Sequence, residues 1–282
     1  MNSVRDLAVI HLVRASNDLG VLSAFLVSYE KYSAGHAHQL TFLLKGFAGG
    51  LPQSVSDLLD RFPHKRVMCP DYGYDIGSYI YASNRIREPL VLFTNSYCVL
   101  QADKWLAKFL NAYHQPRVGM VGASGSWESL SSTMLNARSA VSGSILRDGF
   151  SKAKALTVGL PLLLMFPAFP NYHIRTNGFL VARKDFLAIR PALMRTKLDA
   201  WLFESGRKSM TRRMRERGLE ALVVGKDGSY YLPEEWSRSM TFWQSHQENL
   251  MIKDNRSIAY DCGSESLRAR LYTCAWNCTV QP

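Results

Sequence analysis

The chain has 282 residues, 47% hydrophobic and 20% charged. That balance excludes a disordered or collagen-like chain and suits one α/β-sized domain, or one domain with an arm. No run of about 18 apolar residues occurs, so no membrane-spanning helix is expected. Lysine and arginine number 34 against 23 acidic residues, a net charge of +11, and segment 183–217 alone holds 11 basic and 4 acidic residues. Such a stripe points to an acidic partner (a nucleotide diphosphate, a phospholipid surface or nucleic acid) or to a solvated helix face. Leu7 to Val13 is too short and too interrupted by His11 to be an export signal. The five cysteines, at 69, 98, 262, 274 and 278, are therefore expected to be reduced thiols of a cytoplasmic protein. Cys274 and Cys278 lack a second Cys/His pair nearby, so no zinc site is expected.

The chain reads as alternating strands and helices. Ala8–Val13 is a β-branched apolar run and reads as a buried strand. Leu22, Phe25, Leu26 and Tyr29 make a helix face over Leu22–Tyr32. Gln39–Leu44 is a second strand, Val55–Phe62 a short helix, and Arg66–Cys69 a third strand. Ile76–Ile86 is helical, Leu90–Phe93 a fourth strand, Asp103–Tyr113 a helix and Val118–Val121 a fifth strand. Strands separated by single helices predict right-handed crossovers and a largely parallel sheet. Past Gly122 the pattern loosens. Residues 124–169, rich in Ser and Gly and then broken by Pro161 and Pro167, read as a mobile cover with a helical piece over Leu130–Ser139. Thr176–Ala182 is a strand, and Leu198–Arg217 one helix capped by Gly218. Ala221–Val224 is a strand, Met240–Leu250 a helix, Ile258–Cys262 extended and Arg268–Trp276 helical.

Three strand ends carry the residues suited to chemistry. Pro70-Asp-Tyr-Gly-Tyr-Asp-Ile-Gly-Ser78 follows the third strand and opens a helix. It interleaves Asp71 and Asp75 with Gly73 and Gly77, where glycine lets a ligand approach the backbone and a helix start offers free N–H groups. Asp75 as a plain N-cap is the simpler alternative. The segment is neither a phosphate-binding loop nor a dinucleotide fingerprint. The fourth strand delivers Asn95, Ser96 and Tyr97, and the fifth runs into Gly122-Ala-Ser-Gly-Ser-Trp-Glu-Ser129. Later, Asn171-Tyr-His-Ile-Arg-Thr-Asn177 gathers Asn171, His173, Arg175 and Asn177, more hydrogen-bonding groups than packing needs. His173 could equally be a satisfied structural histidine. Glu204-Ser205-Gly206 offers a carboxylate, or alternatively an i,i+4 partner for Lys208.

Taken in order, Leu12-Val-Arg14, Lys45-Gly46, Asp71-x-Gly-x-Asp-x-Gly77, Phe93-x-Asn-Ser96 and Val118-Gly-x-Val-Gly122 resemble a nucleotide-sugar glycosyltransferase of the GT-A fold. The likeness is to bacterial and phage enzymes of the family-2-like or rhamnan-synthesis-like kind, over roughly residues 5–260. It implies a single Rossmann-like α/β domain over 1–282, with the donor half in 1–122 and the acceptor half in 123–282. The resemblance implies that Asp71 or Asp75 meets the nucleotide base. It places Asn95-Ser96-Tyr97 where the family keeps Asp-x-Asp for Mg²⁺ or Mn²⁺. With no carboxylate there, metal dependence is in doubt and no metal ligand is assigned; lysine or arginine can meet the diphosphate instead. Glu204 takes the place of the general base in an inverting displacement, with Arg207 and Lys208 expected to keep it ionised.

The expected substrate-binding residues are therefore Asp71, Gly73, Asp75, Asn95, Ser96, His173, Arg175, Asn177 and Arg207. Expected partners are a nucleotide-diphosphate sugar and a hydroxyl acceptor: a glycan, a lipid-linked sugar, a protein or a modified nucleic acid. The basic 183–217 segment is open to contact with the inner membrane face or nucleic acid. Two other classes stay open, a non-catalytic nucleotide-sugar-binding relative and a basic nucleic-acid-binding protein, although no helix-turn-helix, zinc-finger or RNA-recognition signature is present.

Overall fold

The computed structural model describes residues 6–133 and 164–277. Twelve strands are described: β1 (Leu7–Arg14), β2 (Gln39–Lys45), β3 (Lys65–Cys69), β4 (Leu90–Thr94), β5 (Val99–Leu100), β6 (Val118–Gly122), β7 (Gly125–Ser126), β8 (His173–Ile174), β9 (Gly178–Ala182), β10 (Glu220–Val224), β11 (Tyr230–Tyr231) and β12 (Ile252–Lys253). Eight of them form one sheet in the order β11-β10-β6-β9-β4-β1-β2-β3. The described helices are α1 (Leu19–Lys31), α2 (Gln53–Leu59), α3 (Tyr74–Ser83), α4 (Trp105–Tyr113), α5 (Arg183–Ala188), α6 (Lys197–Ser205), α7 (Met210–Glu216), α8 (Asn255–Asp261) and α9 (Glu265–Trp276).

The sheet forms because its middle strands are apolar on both faces. In β1, Leu7, Val9 and Val13 enter one buried cluster with Leu22 and Phe25, while Ala8, Ile10 and Leu12 enter the other with Ile76 and Tyr79. Single helices join β1 to β2 and β2 to β3, and β4 lies on the other side of β1, so these four strands are parallel, as the alternation predicts.

The exception is β9, antiparallel to both β4 and β6. The chain leaves the sheet at Gly122 and returns beside it, with Gly122 paired to Phe179. It re-enters from the end at which it left, so the strand must run the opposite way. The chain therefore leaves and rejoins the sheet at the carboxyl ends of the parallel strands.

Several expectations are corrected. The helix expected over Leu198–Arg217 is two helices, α6 and α7. Gly206 ends the first, and a Cβ there would lie 2.6 Å from the Leu202 carbonyl oxygen. Ser209 opens the second by accepting the Arg212 N–H. Met240–Leu250 is irregular, with positive φ at Met240, Trp243, Ser245 and Gln247. Its backbone is held by side chains: Gln244 Nε2 donates to Trp236 O, and Gln247 Nε2 to Ser257 O. Ile258–Cys262 belongs largely to a helix, α8, because Asp254 and Ser257 form a reciprocal cap.

The cover expected over 124–169 falls partly outside the described residues. Its described flanks are tied down: Ser124, Ser126, Ser129 and Ser131 are buried. Ser129 and Ser131 both donate to the Pro167 carbonyl, at 2.6 and 3.0 Å. Cys278, half of the C-x3-C pair, also lies outside the described residues.

Candidate functional site

Strands β1 and β2 are mostly apolar, broken by His11 in the first and by Gln39 and Thr41 in the second, and each ends on a cation: Arg14 and Lys45. Parallel pairing places Arg14 directly against Lys45, and Lys45 against Cys69 at the end of β3. Lys45 is only 2% exposed. Its Nζ donates to the carbonyls of Tyr72 (3.1 Å) and Tyr74 (2.7 Å) and lies 3.9 Å from Asp71. The lysine thus fastens the turn that delivers Asp71 and Asp75. Burial pulls the ammonium below its usual range, while Asp75 and Asp71 oppose that shift.

Asp71 stands exposed beside Gly46, whose Cβ would lie 3.4 Å from its carboxylate. Asp75 is half-buried in the first turn of α3 rather than at its cap, which is Gly73. Burial raises its carboxyl above the usual range. Arg14 and Lys45 pull it back, and Glu204 pushes it further up. A strand-end cation pair, Asp75 and Glu204 therefore share one electrostatic neighbourhood, although they come from opposite halves of the chain.

Gly73 has a different reason from the one expected. It sits at φ +73°, and a Cβ there would meet Gly77 Cα and Met194 O, each at 3.0 Å. The space beside it is filled by the chain's own Met194 segment, not left open for a ligand.

In the later part of the chain, the 171–177 segment is stitched to α6 and α7. Asn171 Nδ2 donates to Ser205 O at 2.7 Å, and the Ile174 N–H donates to Thr211 Oγ1 at 2.9 Å. Thr176 donates twice to Glu204 Oε1, from its backbone N–H (2.9 Å) and its hydroxyl (3.1 Å). These bonds fix the half-buried Glu204, while Oε2 makes no hydrogen bond among the described residues. Arg207, expected to support Glu204, donates its Nε to Leu164 O at 2.8 Å. Arg207 and Lys208 instead line a separate groove with Leu164, Leu193 and Phe203.

His173 is 5% exposed, and its Nδ1 pairs with Asn171 O at 2.8 Å. Burial lowers its pKa, with Glu204 opposing, so it lies within the field of Glu204. Arg175 and Asn177 face inward. Arg175 forms a buried ion pair with Asp254 at 2.6 Å, reaches Ser124 Oγ at 3.3 Å, and lies over the Phe242 ring. Asn177 accepts from Ser124 Oγ at 3.0 Å, and its carbonyl receives the Asn95 N–H and the Cys98 thiol. Both hold the segment in place through these bonds.

Asn95 likewise makes a turn: its Oδ1 accepts the Tyr97 N–H at 3.0 Å and the Cys98 thiol at 3.3 Å. This is a poor place for Mg²⁺ or Mn²⁺, which want several free oxygen ligands. Among the described residues, no group of three His, Cys, Asp or Glu side chains is arranged to hold a metal ion. The donor set does not fit the metal that the resemblance implies.

Ser96, 4% exposed, closes a cavity of about 170 Å³ at the end of β1. Arg14, Asn17 and Asp18 line it, as do Phe47 from the loop after β2 and Ser54 and Val55 from the first turn of α2. Sequence reading missed this wall and also Thr176. The available signal was a cation at the end of a mostly apolar strand, seen twice, in Arg14 and Lys45.

No family model matches this chain, and no curated protein matches it. Among solved structures it is similar to the mannosyltransferase PcManGT from Pyrobaculum calidifontis, in complex with GDP-Man and Mn2+. The TM-score is 0.47 and the identity 12%, over 77% of this chain and 54% of that one. This chain thus spans about half the length of that protein. It is also similar to a 4-diphosphocytidyl-2C-methyl-D-erythritol synthase from Anaerococcus prevotii DSM 20548. There the TM-score is 0.44 and the identity 14%, over 77% of this chain and 87% of that one.

Proposed function

We propose that the protein is a glycosyltransferase that moves a sugar from a nucleotide-diphosphate donor to a hydroxyl acceptor, with Glu204 as the base. The observation that carries this reading is the state of Glu204. One oxygen accepts two bonds from Thr176, the other makes none among the described residues, and the charge of the residue acts on Asp75 beside the strand-end cations. A carboxylate held by one oxygen is positioned to take a proton with the other.

In this reading the acceptor hydroxyl gives its proton to Glu204 Oε2, and its oxygen bonds to the anomeric carbon. The bond from that carbon to the diphosphate oxygen breaks, and the electron pair leaves with the nucleoside diphosphate. Attack opposite the leaving group inverts the sugar carbon. Arg14, beside Asp75 at the strand ends, faces the developing negative charge. The donor nucleoside enters the cavity at the end of β1, and no step passes through a metal.

A panel of nucleotide-diphosphate sugars, assayed for transfer or hydrolysis with and without a divalent-metal chelator, tests this. Turnover of at least one donor is expected, unchanged by the chelator. Binding without turnover of any donor would favour the non-catalytic relative. The nucleic-acid reading is weakened by where the basic segment spends its charge. Arg213 donates to the Lys208 and Ile189 carbonyls, and Arg217 pairs with Asp185 at 3.0 Å. Retention on duplex DNA that falls steeply with salt would restore it.

A further inference from the structure

The groove lined by Arg207 and Lys208 follows from the break at Gly206. Helix α6 brings Asp199, Leu202 and Phe203 to it, spaced i, i+3 and i+4 on one face. Because α6 stops and α7 starts afresh, Arg207 and Lys208 stand at the corner between them. Arg207 clamps the chain that precedes β8. Its backbone N–H donates to Met165 O at 2.9 Å, and its Nε to Leu164 O at 2.8 Å. Leu164 and Met165 thereby join Pro191 and Leu193 in the lining. Phe203 gives a fixed floor, 2% exposed and packed on the Phe186 ring at 6.2 Å.

Packing leaves two features of this lining unexplained. The first is exposed apolar surface: Leu164 is 71% exposed and Leu193 52%. Single exposed apolar residues are ordinary, but several around one concavity mark a binding surface. The second is charge. Arg207, Lys208 and Arg213 face one carboxylate, Asp199. That carboxylate accepts the Arg195 and Thr196 N–H groups, at 2.9 and 2.7 Å, at the start of α6. Farther along the chain, Arg215 and Arg217 pair with Glu220 and Asp185. Among the described residues, Lys208 and Arg213 have no ion-pair partner. Arg213 donates to the Lys208 and Ile189 carbonyls, which orients its guanidinium without neutralising it.

Size narrows the occupant. The volume of about 380 Å³ falls within the roughly 300–1,000 Å³ of small-ligand sites. A stable protein interface is larger, with about 20–30 residues a side. A nucleic acid would use the cations and leave the apolar wall bare. A molecule with an apolar chain and an anionic end uses both.

We infer that this groove binds a single-chain amphiphile with an anionic head. Its chain is held by Leu164, Leu193 and Phe203, and its head by Lys208 and Arg213. The inference goes beyond the transfer reading and does not depend on it. The two sites are neighbours, since Phe203 immediately precedes Glu204 on α6 and points about 100° away around the helix.

Titration calorimetry of the intact chain with dodecyl phosphate, below its micelle threshold, tests this. Dodecyl maltoside keeps the chain without the charge, and inorganic phosphate keeps the charge without the chain. Dodecyl phosphate is expected to bind at least about tenfold tighter than either, because head and chain each add contacts. Lys208→Glu should weaken dodecyl phosphate by about tenfold or more and leave dodecyl maltoside unchanged. Leu193→Ser should weaken both amphiphiles and leave inorganic phosphate unchanged. Both positions are exposed, and thermal unfolding checks that the variants fold. Equal binding of dodecyl maltoside, or an affinity indifferent to both substitutions, would overturn the inference. So would inorganic phosphate binding as tightly (an anion site alone) or binding to anionic vesicles but to no monomeric amphiphile (a membrane surface). A dimer in sedimentation that Leu193→Ser dissociates would overturn it too, giving the groove to a second copy. Each of these leaves the transfer reading to be judged by the donor panel.

Discussion

His11 sits in β1 with 0% of its surface exposed, stacked on Phe25 at a ring-centroid distance of 3.5 Å. Because burial holds its native pKa near 3, it makes folding pH-dependent in one direction. The unfolded ring takes up a proton below about 6.5, and the native ring does not. Stability is therefore whole above the unfolded value and falls by about 1.4 kcal/mol per pH unit as pH drops through the window below it. His173, also lowered by burial, adds to the same trend. Urea unfolding at pH 6.5 and pH 5 should show the loss, and His11→Leu should flatten it. An unchanged slope in the variant would mean that this ring is protonated in the native state.

Asp254 acts in the same direction but in a more acidic window, because its native carboxyl also titrates below its unfolded value. Burial resists its ionisation, but Arg175 and the Ser257 bonds outweigh burial, so its carboxyl titrates below the usual range. Its contribution is present above the unfolded pKa and is lost as pH falls through the lower native value. Removing one partner of such a buried pair costs about 3–5 kcal/mol. Asp254→Asn should lower unfolding stability by that order at neutral pH, and a loss below about 1 kcal/mol would mean that the pair is solvated.

At the scale of elements, the turn into α3 shows how glycine can mislead. Gly73 and Gly77 read in the sequence as room for a ligand, yet Met194 packs against both. Gly73→Ala should destabilise by about 1–2 kcal/mol, because its left-handed backbone disfavours a Cβ, and the Met194 carbonyl stands in the way. Chemical denaturation measures this, and a neutral substitution would show that the turn can relax.

Five of the six strands up to Gly122, all but the short β5, and the four helices among them are legible close to their observed bounds, because their apolar runs and 3.6-residue stripes are local signals. Three features are not. The direction of β9 depends on where a long excursion returns, which no local pattern encodes. The break at Gly206 is hidden because basic and apolar residues continue in helical rhythm on both sides. Segment 240–250 carries apolar residues at helical intervals but is shaped by Gln244, Gln247 and Asn249 bonding to distant backbone. Within the candidate site, Asp75 and Glu204 were legible as carboxylates beside turns. The supporting Lys45 and Thr176 were not assigned, because their roles arise only from pairing.

At the scale of the whole molecule, the candidate chemistry lies where the two halves of the chain meet. Residues 6–122 contribute the ends of β1, β2 and β3, with Arg14, Lys45 and Asp75. The later half contributes Glu204, held by Thr176 at the start of the antiparallel return. Opposing elements bring Glu204 close enough for its charge to push up the Asp75 carboxyl. The account's central claim is that Glu204 takes the acceptor's proton. The most direct measurement is steady-state transfer from the preferred donor by the parent and by Glu204→Gln, with donor affinity determined alongside. The amide keeps the shape and the Thr176 bonds but cannot accept the proton. Turnover is expected to fall about 10²-fold or more with donor affinity nearly unchanged. Parental turnover in the variant would contradict the claim and move the base to another carboxylate of the cleft.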